Sequence, residues 1–399
     1  MTIFESGKKI NLYNNYDVVV CGGGIAGVSA ALSAARAGAK TLLTLLIERE
    51  FALGGLATLG LIVVYLPLCD GKGKQVSFGI VEELLRLSIK YGYEGRYPDS
   101  WLVSGMEKGR IDQRFEVQYN GNVFAILLEK LLIETGVEIL YGTLVCGVDT
   151  DGDRLNAVFI ENKSGRQAVT SKSFVDATGD ADIYKLLGAE TIVNTSGNPL
   201  AAWYFSTSEG EYNLNIYGAS DLVRPGESPN RISKRRYIGI DGKDLSEMVI
   251  ESHDKTLKHF LKSGLDSKQH ALSTIATIPM IRMTRRIKGV SEMRKTDERQ
   301  RISDSVGIVS NWRHRGPIYE VPFSALHENR FKNIISAGRI ISANDEMWDV
   351  MRVIPPCAVT GEAAGTAAAM SADFNTIDIV GLQEKLKRNG VCIHINDLP

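Results

Sequence analysis

The 399-residue chain is 44% hydrophobic and 23% charged, and its 46 basic and 47 acidic side chains leave a formal net charge of −1. These are ordinary proportions for a globular protein of one to three domains, and they supply no overall attraction to nucleic acid or to an anionic membrane. Five scattered cysteines, with no CxxC, argue against zinc, iron–sulfur and disulfide frameworks, so no metal site is expected and a reducing compartment is.

The opening residues, MTIFESGKKINLYNNYD, are polar and lack the apolar core of a signal peptide, so a cytoplasmic location is the expectation. Residues 16–21 read as a short apolar strand and residues 25–37 as an alanine-rich helix ended by Gly38. Between them lies Gly22-x-Gly24-x-x-Gly27. In this strand–turn–helix setting the first glycine permits a tight turn and the second lets backbone approach a pyrophosphate. The third allows helix and strand to pack closely, with the helix N-terminus presenting N–H groups to phosphate.

Next comes GAKTLLTLLIERE, in which Thr41-Leu42-Leu43 is repeated as Thr44-Leu45-Leu46. Glu48 lies 21 residues after Gly27, close to the ~20 expected of the acid that accepts hydrogen bonds from an adenosine ribose. Three extra in-line residues would lengthen a strand by ~10 Å and reverse its faces. The expectation is that 44–48 is the working strand and that 40–43 bulge out before it. Residues 51–69 then run nineteen without a charge, long enough to cross a bilayer. Gly54, Gly55, Gly60 and Pro67 point instead to a buried, glycine-punctuated segment beside a ligand, so no membrane association is expected.

Helical spacing marks residues 79–90 and 123–135. From 137 to 177 strand and turn signals alternate as in a meander, with turns near Gly152 and Gly165. The stretch 190–322 is mixed. Residues 333–342 read as a buried strand and 360–372 as an alanine-rich helix. Nucleotide-type elements at both ends predict a discontinuous domain with another inserted. The α/β reading places a Rossmann-like domain, with a parallel central sheet and a β-meander, at 1–75, 120–190 and 330–375. A mixed α+β substrate or cap domain falls at 76–119 and 191–329, and a tail packing on the first domain at 376–399.

Several separated motifs carry a resemblance over nearly the whole chain: GGLATLGL at 54–61, DATGDAD at 176–182, RMTRRIKG at 282–289, and the stretch from AGRIIS to AAGTAAA at 337–369. The pattern resembles FAD-dependent oxidoreductases of the glutathione-reductase-type flavoprotein superfamily. The resemblance implies that Gly22, Gly24, Ile25, Ala26 and Gly27 face the FAD pyrophosphate, Glu48 the ribose, and Arg49 and the Val145 backbone the adenine. Gly54, Gly55, Leu56 and Ala57 would line the phosphate and ribitol path. Thr178, Gly179 and Asp180 would lie near the dinucleotide, and Gly338 and Arg339 near its phosphates or ribitol. Thr360 and Gly361, at a helix start, would turn N–H groups toward the ring, which carries negative charge when reduced. The chain departs from the pattern in its TLL duplication and at Met283-Thr284, where an acidic or serine residue is expected.

No second GxGxxG with its own strand and acid is visible. The simplest scheme is hydride transfer between a small organic substrate and non-covalently bound FAD, reoxidised by an unidentified electron acceptor. Arg282, Arg285 and Arg286 could clamp a carboxylate or stabilise developing negative charge, or instead make salt bridges or hold a domain interface. His314 could act as acid or base, and Arg352, just before the ring-facing helix, is better placed than any of these. The alternatives are a flavin-binding partner subunit in RNA modification or electron transfer, and a purely NAD-dependent dehydrogenase. The first draws on the basic run up to Arg301, but Glu292, Asp297 and Glu298 interrupt that run and no aromatics interleave it, so nucleic acid is not an expected partner. The second leaves the 178–180, Gly338 and Gly361 motifs without a role. Oligomeric state is left open, a homo-oligomer included.

Overall fold

The computed structural model describes residues 9–38, 44–218, 231–262 and 270–399. β1 (Asn11–Cys21) leads through Gly22–Gly24 into α1 (Ile25–Ala37), and β2 (Thr44–Ile47) follows. β1 begins five residues earlier than its apolar run, because the exposed Asn11–Asn15 stretch pairs with residues 167–170 of a long neighbouring strand. The strand after the duplication is indeed the second TLL copy, in register Val18↔Thr44 through Cys21↔Ile47. The expected bulge at 40–43 lies outside the described residues.

The central sheet has the order Glu138–Leu140, β2, β1, Gly165–Asp176, Arg154–Asn162, Leu144–Asp151, and the short strand Ile334–Ser336 also pairs with Gly165–Asp176. Glu138–Leu140, β2, β1, Gly165–Asp176 and Ile334–Ser336 run parallel, whereas the meander pairs are antiparallel. The fold is therefore α/β and Rossmann-like, with a meander appended. Register puts the ends of the inner strands on one level: Cys21 pairs with both Ile47 and Asp176, and Asp176 with Ser336. The chain thus leaves four parallel strands together, at Gly22, Glu48, Ala177 and Ala337, which is where open α/β sheets receive ligands.

Residues 333–342 are a strand only over Ile334–Ser336. Gly338, at φ 82°, turns the chain into a 3-10 turn over Gly338–Ile340. The final alanine-rich helix spans Ile354–Met370, beginning six residues before the expected start. Pro355 and Pro356 occupy its first turn, where no N–H is required and the fixed φ suits a helix. This helix packs directly on α1: a Cβ built at Gly361 would lie 2.2 Å from the Ala26 carbonyl oxygen, and one at Gly365 2.0 Å from that of Ala30.

Residues 51–69 form a 3-10 turn, Gly55–Ala57, and a short strand, Val64–Tyr65. No helix among the described residues is long and apolar enough to cross a membrane. A separate three-stranded antiparallel sheet (Glu211–Asn215, Tyr204–Ser208, His270–Ile275) and the long helix Gly242–Lys262 make up most of the middle of the chain.

Candidate functional site

One cleft lies across the carboxyl ends of the parallel strands, ≈ 1320 Å³ with its open mouth included. Its floor is the glycine turn. Gly22 takes φ 105°, and a Cβ there would meet the Ala177 carbonyl oxygen at 2.4 Å, so only glycine lets β1 pass this close to the neighbouring strand. A Cβ at Gly27 would sit 1.7 Å from the Gly22 carbonyl oxygen. Gly27 therefore packs beneath the turn and does not line the cleft. Gly24 has the opposite surroundings, since a built Cβ meets nothing within 4 Å. It faces the open cleft at the N-terminus of α1, which no side chain caps.

Gly54 and Gly55 close over this turn through the Gly54 N–H, which donates to the Gly23 carbonyl (2.8 Å). At one end of the cleft stand Glu48, Arg49 and Glu50, with Thr143, Leu144 and Val145 of the meander edge. The Glu48 carboxylate accepts from the Gly23 N–H and from the Glu50 N–H (3.0 Å). Burial pushes its pKa up, and those two backbone donors offset only part of the push.

Thr178, Gly179 and Asp180 line the middle. Asp180 accepts from the Thr284 hydroxyl (2.6 Å) and from Arg339 Nη2 (3.0 Å), while Arg339 Nε donates to the Gly179 carbonyl (2.6 Å). Thr284, one of the two positions where the resemblance leads to an acid or serine being expected, is thus joined to Asp180 through its hydroxyl. The other end holds Leu56, Ala57, Arg352, Ile354 and Cys357, with Gly338 beside Ala26 and Cys357. Burial pushes the Cys357 thiol up to about 12, so it stays protonated and small.

Gly27, expected to face the pyrophosphate, is thus corrected to a packing position beneath the turn, and four further sequence expectations are corrected here. Thr360 and Gly361 do not start the helix and do not line the cleft. They lie in its second turn against α1, where the Thr360 hydroxyl accepts from the Gly338 N–H (2.9 Å) and donates to the Pro356 carbonyl (2.8 Å). Arg285 does not line the cleft; its Nε donates to the Asp180 carbonyl (2.8 Å) and its Nη2 to Asp182 (2.9 Å), behind the lining residues. Arg282 is buried with its guanidinium 5.3 Å from the Trp203 ring centre and is absent from the lining. His314 is exposed in the connection between strands Ser305–Ser310 and Ile318–Pro322, also off the lining.

Sequence reasoning missed the roof. Residues 277–285 cross the cleft, with Ile278, Pro279 and Ile281 turned into it and Leu245 beside them. The Thr277 N–H donates to the Leu59 carbonyl (3.0 Å) at one end, and Thr284 holds Asp180 at the other. The apolar IPMI just before the arginines was the available signal, but periodicity cannot tell a roof from a core strand. Among the described residues no cluster of three or more metal-ligating side chains occurs.

The cleft fits a dinucleotide such as FAD. It offers an uncapped helix end over a glycine that faces open space, a partly satisfied buried carboxylate for a ribose diol, and length continuing to an arginine and a second helix N-terminus.

The model of the family described as FAD dependent oxidoreductase matches residues 17–201 and 197–386. Among solved structures, the chain is similar to p-nitrophenol 4-monooxygenase PnpA from Pseudomonas putida DLL-E4, at 13% identity over 94% of this chain and 88% of that one, with a TM-score of 0.49. It is also similar to a geranylgeranyl bacteriochlorophyll reductase-like protein from Thermoplasma acidophilum (16% identity, 94% and 82% covered, TM-score 0.45). A third is 3-ketosteroid-delta4-(5alpha)-dehydrogenase from Rhodococcus jostii RHA1 (15% identity, 91% and 97% covered, TM-score 0.42). With the family match running through nearly the whole chain, this protein belongs to the FAD dependent oxidoreductase family, and FAD is its cofactor.

Proposed function

We propose that the protein transfers hydride between a small organic substrate and non-covalently bound FAD, and that a separate acceptor reoxidises the cofactor. The observation that carries this reading is the convergence of the four strand ends and the α1 N-terminus on one cleft that runs on to Arg352. FAD, when bound, supplies the two-electron chemistry of its ring. The chain's own groups bind and orient it. Gly22, Gly24, Ile25 and Ala26 present backbone to the pyrophosphate, Glu48 takes the ribose hydroxyls, and Arg49 and Val145 flank the adenine. Gly54, Gly55, Thr178, Gly179, Asp180, Gly338 and Arg339 border the middle of the molecule. Leu56, Ala57, Arg352 and Ile354 surround the ring end, where Ile354 takes the helix-start role expected of Thr360 and Gly361.

Residues 1–75, 120–190 and 330–375 form the cofactor module in this reading. Residues 76–119 and 191–329 shape what meets the ring, and 376–399 pack as a tail. The apolar roof over 278–281 excludes water from the cofactor, which suits hydride transfer. Five unpaired thiols suit a reducing compartment such as the cytoplasm. The test is an anaerobic screen of small metabolites for those that bleach the yellow holoprotein, with acid precipitation releasing the flavin intact. Reduction by NADH or NADPH as fast as turnover would refute direct reduction by substrate.

A further inference from the structure

The ring end of the cleft adjoins a buried ionic cluster that cofactor binding leaves unexplained. Asp349, in the short helix Asp345–Met351, is 3% exposed. Arg352 donates to its Oδ1 from Nε (3.1 Å) and from Nη2 (2.6 Å). Arg313 donates to its Oδ2 from Nε and to its Oδ1 from Nη2 (3.2 Å). Trp312 Nε1 donates to the Asp349 backbone carbonyl (2.9 Å), and the Trp312 ring lies 4.2 Å from the Arg313 guanidinium and 5.8 Å from that of Arg352. Although burial opposes ionisation of Asp349, Arg352 and Arg313 outweigh it and hold the carboxyl below its usual range.

Burying an ion pair is a poor way to stabilise a fold, because desolvation offsets most of the attraction. The cluster has another use: of its members, Arg352 alone lines the cleft. It caps the C-terminus of one helix and immediately precedes Val353, the N-cap of Ile354–Met370. A helix N-terminus ordinarily offers several N–H donors to an anionic ligand. Here Pro355 and Pro356 remove two of them from the first turn, so the dipole remains while the donors are depleted. A fixed guanidinium beside that helix end replaces them.

We propose that Asp349 is a positioning residue which, with Trp312 and Arg313, holds the Arg352 guanidinium against the flavin-ring end of the cleft, where negative charge gathers as the ring accepts hydride. This rests on the orientation of FAD given above. The test is the midpoint potential of bound FAD, measured by dye equilibration on loaded protein. Asp349→Asn lowers it, shifting the reduction equilibrium at least tenfold toward the oxidised form, ~30 mV for two electrons, while FAD stays bound. Arg352→Met produces a similar fall, and adding Asp349→Asn to it produces none further. Removing a nearby carboxylate would by itself raise the potential. A rise or no change in Asp349→Asn, with Arg352→Met lowered, therefore overturns the positioning role and leaves the FAD orientation intact. An unchanged potential in Arg352→Met overturns the orientation and the proposal with it. Should Asp349→Asn not fold, Arg352→Lys decides: it keeps the charge but loses the rigid fork that sets Nε and Nη2 together on Asp349 Oδ1, so a fall supports the proposal and a wild-type value overturns it.

Discussion

Gly361→Ala probes how the final helix is held. A methyl there would lie 2.2 Å from the Ala26 carbonyl oxygen and 2.9 Å from Ser29 Cβ, where ordinary contact begins at 3.4 Å. The obstacle is backbone, so it cannot rotate aside, and the helices must part by about 1 Å. In an open helix interior the same substitution stabilises by about 1 kcal/mol through helix propensity. Overpacking a tight core costs about 1–3 kcal/mol, and a backbone clash belongs at the upper end, so the net loss is about 1–2 kcal/mol. Both helices line the cleft, α1 through Ile25 and Ala26 and its partner through Ile354 and Cys357. Parting them weakens FAD binding about 5–30-fold if that loss falls on the bound state. Calorimetry of apo and loaded protein and a flavin-fluorescence titration measure both effects. Gly242→Ala, where a new Cβ meets nothing within 4 Å, is the control. If Gly361→Ala raised the melting temperature as the control does, the close crossing would be wrong.

Three further expectations follow from the same geometry. Glu362 is buried in the final helix, accepts from the Ile80 N–H (2.8 Å), and is pushed by burial up to about 8 from an ordinary 4.5. The folded chain therefore keeps this proton where the unfolded chain has lost it. Stability declines as pH rises from about 4.5 to about 8, and Glu362→Gln should flatten that decline in melting temperature; an unchanged slope would place the effect elsewhere. Glu48→Ala removes the acceptor for the Gly23 and Glu50 N–H groups and, on the orientation of FAD proposed above, for the ribose, so FAD affinity measured by titration should fall ~10–100-fold. Deleting residues 41–43 should leave FAD bound at wild-type stoichiometry, because the second TLL copy is the one paired with β1; a folded but colourless deletion product would contradict this.

The cofactor half of the fold was legible because its signals are local. Gly22, Gly24 and Gly27 are each forced by backbone proximity or an open approach, and Glu48 follows at the spacing that one helix and one turn require. The α1 boundaries, the meander turns at Gly152 and Gly165, and the 44–47 strand were readable for the same reason. Long-range packing was not. Pro355-Pro356 carries the same letters whether it breaks a helix or opens one, and the expected start at residue 360 falls six residues after the observed one, so Ile354 rather than Thr360 or Gly361 stands at the helix start. Arg285 and Arg282 looked like ligand clamps because sequence shows a charge without its partner. Only the fold brings Asp180, Asp182 and Trp203 to them. The roof over 278–281 was invisible because an apolar tetrapeptide is equally consistent with a core strand.

That the sheet takes Ile334–Ser336 beside Gly165–Asp176, and that α1 is covered by Ile354–Met370, has a consequence for biosynthesis. A ribosome delivers the glycine turn and its helix early, yet their apolar partner emerges only after some three hundred further residues. During that interval the alanine-rich face of α1 is uncovered and the cofactor groove has one wall. Loading with FAD is then a late event in maturation, and a chain interrupted before residue 334 would be a client for chaperones rather than a half-working enzyme.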